Sequence, residues 1–298
     1  MIEITNNIIT SQTLGQGVVA LESTVIAHGL PRPTNLQTAQ RLEQIVEGYG
    51  AMPATIGVLA GKPKVGLEPE EIRKLAEEDN VRKVSTRDLS IAVAERWNGA
   101  TTVATTCLIA HQAGIKVFAT GGIGGVHRGA LPDVSADLPV LARTPIIVVC
   151  SGAKIVLDLP ATREWLETYG ITVVGYQCDE FPAFYSRHSG LPVDTRANTP
   201  ADVVAIYRAK RGLEIDSALL LTVPVPAEFE VPAAQLQTAL DSALESAQRN
   251  GIAGRDLTPF LLGHMAERSG GATLRANIAL LENNARIAAE VANAVAGV

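Results

Sequence analysis

The sequence is poor in aromatic residues and cysteine, carries no excess of positive charge and contains no long apolar run. Phenylalanine, tryptophan and tyrosine make up 4% of the 298 residues, so aliphatic side chains must fill the core. Three cysteines, Cys107, Cys150 and Cys178, lie far apart, are odd in number and form no C-x-x-C pair. That excludes a disulfide scaffold and is ordinary for a reducing compartment. Lysine and arginine total 25 against 31 acidic residues, a formal charge of −6. A general nucleic-acid binder needs a basic footprint, which this balance does not supply. A small phosphorylated substrate needs only a few placed cations and remains open. No apolar run approaches the ~18 residues of a membrane span. The first ten residues lack a basic segment and a continuous apolar stretch, so no signal peptide is expected. The expectation is a cytoplasmic globular protein with neither nucleic-acid nor membrane partners.

What is present points to an α/β fold. With 47% hydrophobic and 19% charged residues, the chain is too apolar to be disordered. A chain of this length buries roughly three quarters of its unfolded surface. Short apolar runs at Val18–Leu21, Ala54–Leu59, Ile115–Ala119, Ile146–Cys150, Ile171–Gly175 and Ser217–Val223 read as buried strands. Helical spacing separates them, as in Thr34–Tyr49, Pro69–Asp79 and Thr102–Gln112. Thr199-Pro200-Ala201-Asp202 is a helix start: a Thr cap, proline in the first turn, then an acid. After Val223 the chain reads as helical, at about Ala233–Arg249, Pro259–Ser269 and Leu274–Ala296. Uninterrupted apolar strands alternating with helices indicate a largely parallel sheet covered on both faces. One domain over 1–298 is expected: a three-layer α/β/α sandwich with a largely parallel or mixed central sheet and a helical C-terminal third.

The densest chemical signal is Thr120-Gly-Gly-Ile-Gly-Gly-Val-His127-Arg128-Gly129, directly after a strand. Ligands of open α/β sheets bind outside the carboxyl ends of strands, and glycines let backbone N–H groups approach them. The stretch misses the dinucleotide fingerprint because His127 stands at its last glycine position, and Gly57 to Gly61-Lys62, with three intervening residues and Pro63 following, is not a P-loop. A tight turn beneath the sheet is the plainer reading. Asp133-Val-Ser135-Ala136-Asp137 offers two carboxylates and a hydroxyl, suited to a hard divalent cation or, more plainly, to a helix cap. The five histidines lack zinc-site spacing. Lys154 lies just past an apolar strand. A free lysine is only about 0.04% neutral at pH 7, so a nucleophilic amine needs such apolar company. The competing readings are a lysine that snorkels or pairs with a carboxylate such as Asp158, or the S-x-x-K element of serine acyl-transferases, whose companion motifs are missing. Glu22 ends the run Val18–Leu21 and is either a general acid or a capping or salt-bridging carboxylate. Lys83-Val-Ser85-Thr86-Arg87 is either a phosphate site or a solvated edge.

Taken together, these segments resemble the pseudouridine-5′-phosphate glycosidases, the indigoidine synthase A-like family. The resemblance is carried by Ala20-Leu-Glu-Ser-Thr24 with His28-Gly29, Lys83-Val-Ser85 with Arg87-Asp-Leu89, and Asn98-Gly-Ala-Thr-Thr-Val103. It continues through Phe118–Gly129, Ser135-Ala-Asp-Leu138, Gly152-Ala-Lys154, Gly175-Tyr176, Phe181-Pro-Ala-Phe184, Thr258-Pro-Phe-Leu-Leu262 and Asn283-Asn284. It implies reversible conversion of pseudouridine 5′-phosphate and water to uracil and ribose 5-phosphate. The bond is carbon to carbon, so a plain pair of glycosidase carboxylates would not serve. The family's imine-forming lysine matches Lys154 and its proton donor matches Glu22. A divalent ion, typically Mn²⁺, matches Asp133. Substrate contacts match Lys83, Val103, Ser135, Ala136 and Asp137. The family assembly implied is a homotrimer. The chain departs from the family at Val223-Pro224, Ile155 and Ala276, positions without catalytic counterparts. A C-glycoside synthase or lyase coupling ribose 5-phosphate to another carbon acceptor is the nearest alternative. A nucleotide kinase and a non-catalytic binding module are further ones.

Overall fold

The computed structural model describes residues 2–128, 133–252, 254 and 257–297. In chain order the strands are β1 (Glu3–Ile4), β2 (Val18–Leu21), β3 (Met52–Leu59), β4 (Lys62–Val65), β5 (Arg82–Val84), β6 (Gly99–Thr101) and β7 (Val117–Ala119). They continue with β8 (Val126–His127), β9 (Ile147–Cys150), β10 (Leu157–Asp158), β11 (Thr172–Tyr176), β12 (Thr195–Ala197) and β13 (Leu219–Thr222). The helices are α1 (Asn6–Thr13), α2 (Thr34–Gly48), α3 (Pro69–Glu77), α4 (Leu89–Ala94), α5 (Val103–Gln112) and α6 (Asp137–Leu141). α7 (Leu159–Thr168), α8 (Pro200–Gly212), α9 (Ala233–Arg249), α10 (Leu257–Arg268) and α11 (Ala272–Ala296) follow.

The main sheet runs β1-β4-β3-β2-β7-β9-β13-β11-β12, with β6 joining β3 and β5 joining β6. It is mixed: β4 and β6 pair antiparallel with β3, and the other pairings are parallel. Helices cover both faces, as expected for strands buried along their whole length. β2, β9 and β13 are buried at every position, which is why their sequences show no polar alternation. Each Val, Leu or Ile buried this way contributes about 1.5–3 kcal/mol. The main core extends from Ile8 to Val295 and is overwhelmingly aliphatic.

Register places the functional edge. Leu21 pairs with Ala119, Ala119 with Val149, and Cys150 with Thr222. The residues immediately following β2, β7 and β9 therefore leave the sheet side by side. Local chemistry sets the helix starts. Thr199 and Asp202 form a reciprocal capping box ahead of α8, with Pro200 in the first turn. Asp158 accepts from the Ala161 N–H at 3.0 Å and starts α7. The expected elements are found with shifts of one or two residues. α10 begins at Leu257 rather than Pro259 because proline fits the first turn of a helix. The short ribbon of β8 and β10, pairing Leu157 with His127, is too brief to leave a pattern in the sequence.

Candidate active site

A cavity of about 370 Å³ opens at the carboxyl edge of the sheet, within the size range of small-molecule sites. Its lining includes Glu22, Lys83, Val103, Asp133, Ser135, Ala136, Asp137 and Lys154, so every candidate residue from the sequence meets in one place. They come from five separate segments, brought together by the sheet topology described above.

Glu22 is buried, with 7% of its surface exposed, at the end of β2. The hydroxyls of Thr24 and Thr120 donate to its two carboxylate oxygens. No cation stands within ion-pair distance of it among the described residues, so the salt-bridging alternative is not realised. Lys154 is half-buried on the loop after β9, and its N–H donates to the Ile123 carbonyl at 3.2 Å. The alternative partner Asp158 is occupied as the cap of α7. Lys154 itself has no carboxylate partner among the described residues. Its loop demands glycine at 152, where φ is +76° and a Cβ would overlap the Pro182 carbonyl. β8 and β10 then tie this loop to the glycine stretch.

That stretch is a built surface. The Asp137 carboxylate takes the N–H of Gly124 at 2.7 Å and of Ala104 at 2.8 Å, joining the glycine loop to the start of α5. A Cβ at Gly124 would collide with Ser135 and Asp137. Gly129 lies outside the described residues. Ser135 Oγ accepts from the Asp137 N–H at 3.2 Å in the turn before α6, whose N-cap position is Ala136, so neither Ser135 nor Asp133 caps the helix by its side chain. Asp133 is exposed at the cavity and serves as no helix cap.

One wall is suited to an anion. Lys83, Ser85 and Arg87 line it beside Thr102 and Val103 at the head of α5. In that first turn the Ala104 N–H goes to Asp137, and Thr105 N–H to the Thr102 hydroxyl. The Val103 N–H has no partner among the described residues. A helix N-terminus with an open N–H and nearby cations is a ready anion site. His127 also lines the cavity. Burial holds its imidazole below the ordinary range, opposed by Asp133 and reinforced by Lys154 and Lys83.

No three histidine, cysteine, aspartate or glutamate side chains converge as a metal cage among the described residues. Asp133 offers one hard oxygen ligand. That fits an ion such as Mn²⁺ or Mg²⁺, which keeps much of its shell as water and substrate oxygens, and does not fit a closed zinc site.

Several lining residues had no assigned role in the sequence reading. Phe184, buried with φ +63°, packs against Gly122. Asn277 and Leu281 of α11, and Thr258, Pro259 and Leu262 of α10, close the remaining side. Amides seven residues apart at Asn277 and Asn284, both buried on a largely apolar helix face, were the available signal.

The fold has counterparts among known proteins. The family model of indigoidine synthase A-like proteins matches residues 7–294. A pseudouridine-5′-phosphate glycosidase of Kosmotoga olearia is 50% identical over 280 residues, covering 94% of this chain and 97% of that protein. The one from Solibacter usitatus is 52% identical over 277 residues, covering 92% and 93%. The structure of an indigoidine synthase A-like protein from Thermotoga maritima superimposes with a TM-score of 0.91 at 38% identity, covering 99% of this chain and 97% of that one. The prealnumycin C-glycosynthase AlnA, solved in complex with ribulose 5-phosphate, gives the same TM-score and identity and covers 100% and 97%. With the family match spanning nearly the whole sequence, this chain belongs to the indigoidine synthase A-like family.

Proposed function

We propose that the protein is a pseudouridine-5′-phosphate glycosidase that reversibly cleaves the substrate, with water, to uracil and ribose 5-phosphate. The observation that carries this is the convergence of Lys154 and Glu22 on one cavity whose opposite wall suits a phosphate. The names of relatives about 50% identical over nearly the full length support the substrate.

The phosphate rests on Lys83, Ser85, Arg87 and the Val103 N–H. Ser135, Ala136 and Asp137 border the ribose. The Lys154 amine adds at C1′ as the C1′–O4′ bond breaks and the ribose ring opens, a proton passing from the amine to O4′. The C1′–C5 bond then breaks, its electron pair goes to C5, and C1′ is left as an imine to Lys154. Glu22 delivers the proton to C5, which releases neutral uracil. Water hydrolyses the imine, returning the amine and freeing ribose 5-phosphate. Asp133 would hold a divalent ion, most simply Mn²⁺, which would supply positive charge beside the sugar phosphate. A homotrimer located in the cytoplasm, with the whole chain as one catalytic domain, completes the proposal.

The test is borohydride reduction in the presence of ribose 5-phosphate, followed by intact mass and peptide mapping, alongside uracil release from pseudouridine 5′-phosphate. A reduced adduct on Lys154 together with uracil release is the expected result. Adduct formation without uracil release would favour the second reading, a C-glycoside synthase, which the likeness to prealnumycin C-glycosynthase supports. A panel of C-nucleotides assayed for ribose 5-phosphate then identifies the carbon acceptor.

A further inference from the structure

Asn284 lies beneath the cavity, fully buried on α11. Its Nδ2 donates to the Thr120 carbonyl at 2.9 Å and contacts the Gly121 carbonyl at 3.4 Å. The Ser151 hydroxyl sits 3.1 Å from Nδ2 and 3.3 Å from Oδ1. Thr120 and Gly121 open the loop after β7, and Ser151 opens the loop after β9. One amide therefore spans two loops just past the ends of β7 and β9.

Each loop carries a functional connection. The Thr120 hydroxyl donates to Glu22. Ser151 leads through Gly152 and Ala153 to Lys154 and accepts the Phe184 N–H at 3.1 Å. The two loops also bond to each other, Ser151 N–H to Gly121 O at 2.8 Å and Ile123 N–H to Gly152 O at 3.0 Å. A buried amide is costly unless its hydrogen bonds are made, and leucine would fill an apolar helix face without that cost. The amide is placed where its Nδ2 meets the Thr120 carbonyl, one residue past the end of β7.

We propose that Asn284 is a positioning residue for the reaction, fixing the carboxyl of Glu22 relative to the amine of Lys154 by clamping the loops after β7 and β9. It does not itself line the cavity, whereas Asn277 and Leu281 of the same helix do. The inference rests on the reading of Lys154 and Glu22 given above. A loss of alignment should slow the bond-breaking step and leave phosphate binding intact.

The test compares the unaltered chain with Asn284→Asp, Asn284→Leu and Ser151→Ala, each checked by thermal unfolding. For the folded Asn284 variants kcat for uracil release should fall about 100-fold while KM moves by no more than about threefold. Ser151→Ala removes only a hydroxyl, so it keeps the test alive if the Asn284 variants do not fold; a loss of about tenfold in kcat is expected there. A lowered unfolding temperature with unchanged kcat would make Asn284 structural only and overturn the proposal. A raised KM with unchanged kcat would assign it to substrate binding and also overturn it. Uracil release by the unaltered chain is read first. Its absence refutes the function reading, whereas its presence with unaffected variants refutes the positioning role alone.

Discussion

Replacing Asp137 by asparagine removes one negative charge and almost no volume, and the structure makes its effect large. The two carboxylate oxygens each accept a backbone N–H, from Ala104 at 2.8 Å and Gly124 at 2.7 Å. Both partners are donors, so neither orientation of an asparagine amide fits. One N–H would keep its acceptor, and the other would face an NH₂ group. A hydrogen bond to a charged group contributes about 1.5–3 kcal/mol, and a buried donor left unpaired costs about 1–3 kcal/mol. The lost carboxylate at the head of α5 adds a few tenths to 1 kcal/mol. Because the loop can relax, a net destabilisation of about 2–4 kcal/mol is expected, a large share of the ~5–15 kcal/mol typical of a folded domain. Urea unfolding followed by the fluorescence of Trp97 and Trp165 measures it, at unchanged m-value. Activity should fall too, because the same bonds hold the glycine loop against the anion wall. A shift below about 0.5 kcal/mol would mean that Asp137 does not bridge these segments, and the account of the site wall would be wrong.

Lys154→Ala should abolish uracil release while leaving unfolding unchanged, and Lys154→Arg should not rescue it because guanidinium cannot form an imine; retention of a tenth of the activity refutes the imine. Glu22→Gln should still give a borohydride adduct with ribose 5-phosphate but lose about 10²–10⁴-fold in uracil release, and normal release removes Glu22 from the mechanism. Excess chelator should stop turnover and Mn²⁺ should restore it; full activity with no bound metal by elemental analysis would falsify the role given to Asp133. Glu43 supplies a pH prediction away from the site. Burial raises its carboxyl from 4.5 to about 7, although the Thr55 hydroxyl opposes this. The folded chain holds that proton more tightly than the unfolded one, so the contribution is full below pH 4.5 and is lost as pH rises to about 7. The loss is of order 3 kcal/mol at most, and Glu43→Gln should flatten the stability profile over that window in denaturant titrations; an unchanged slope contradicts it.

Much of this arrangement was legible in the sequence because its signals are local. Runs such as Ile147–Cys150 with no polar interruption can only be buried on both faces, which fixed the sheet. Thr199 and Asp202 announced α8 by their spacing alone. Glu22 and Lys154 stood out as charged residues at the ends of such runs. What the sequence concealed depends on partners far away along the chain. Asn284 meets Thr120 across 164 positions, and Asp137 meets Ala104 across 33. Neither contact has a period or a motif. Phe184 reads as an ordinary aromatic until its left-handed backbone and its place over Gly122 are seen. Asp133 and Ser135 looked interchangeable as caps, and only the fold separates them, Ser135 bonding at the head of α6 and Asp133 facing the cavity.

The placement of α11 has a consequence for how the molecule is made. This helix packs across β2, β7 and β9, and it supplies Asn277 and Leu281 to the cavity and Asn284 beneath it. Every strand of the sheet emerges from the ribosome before it. A nascent chain therefore has the groups of the site in hand, from Glu22 to Lys154, well before it has the surface that closes them in. Until α11 docks, the apolar underside of the central strands is bare to water, the situation in which partly made α/β chains associate wrongly. The final docking step thus buries the most hazardous surface and completes the pocket together, so a chain that has not finished folding offers no finished site to a sugar phosphate.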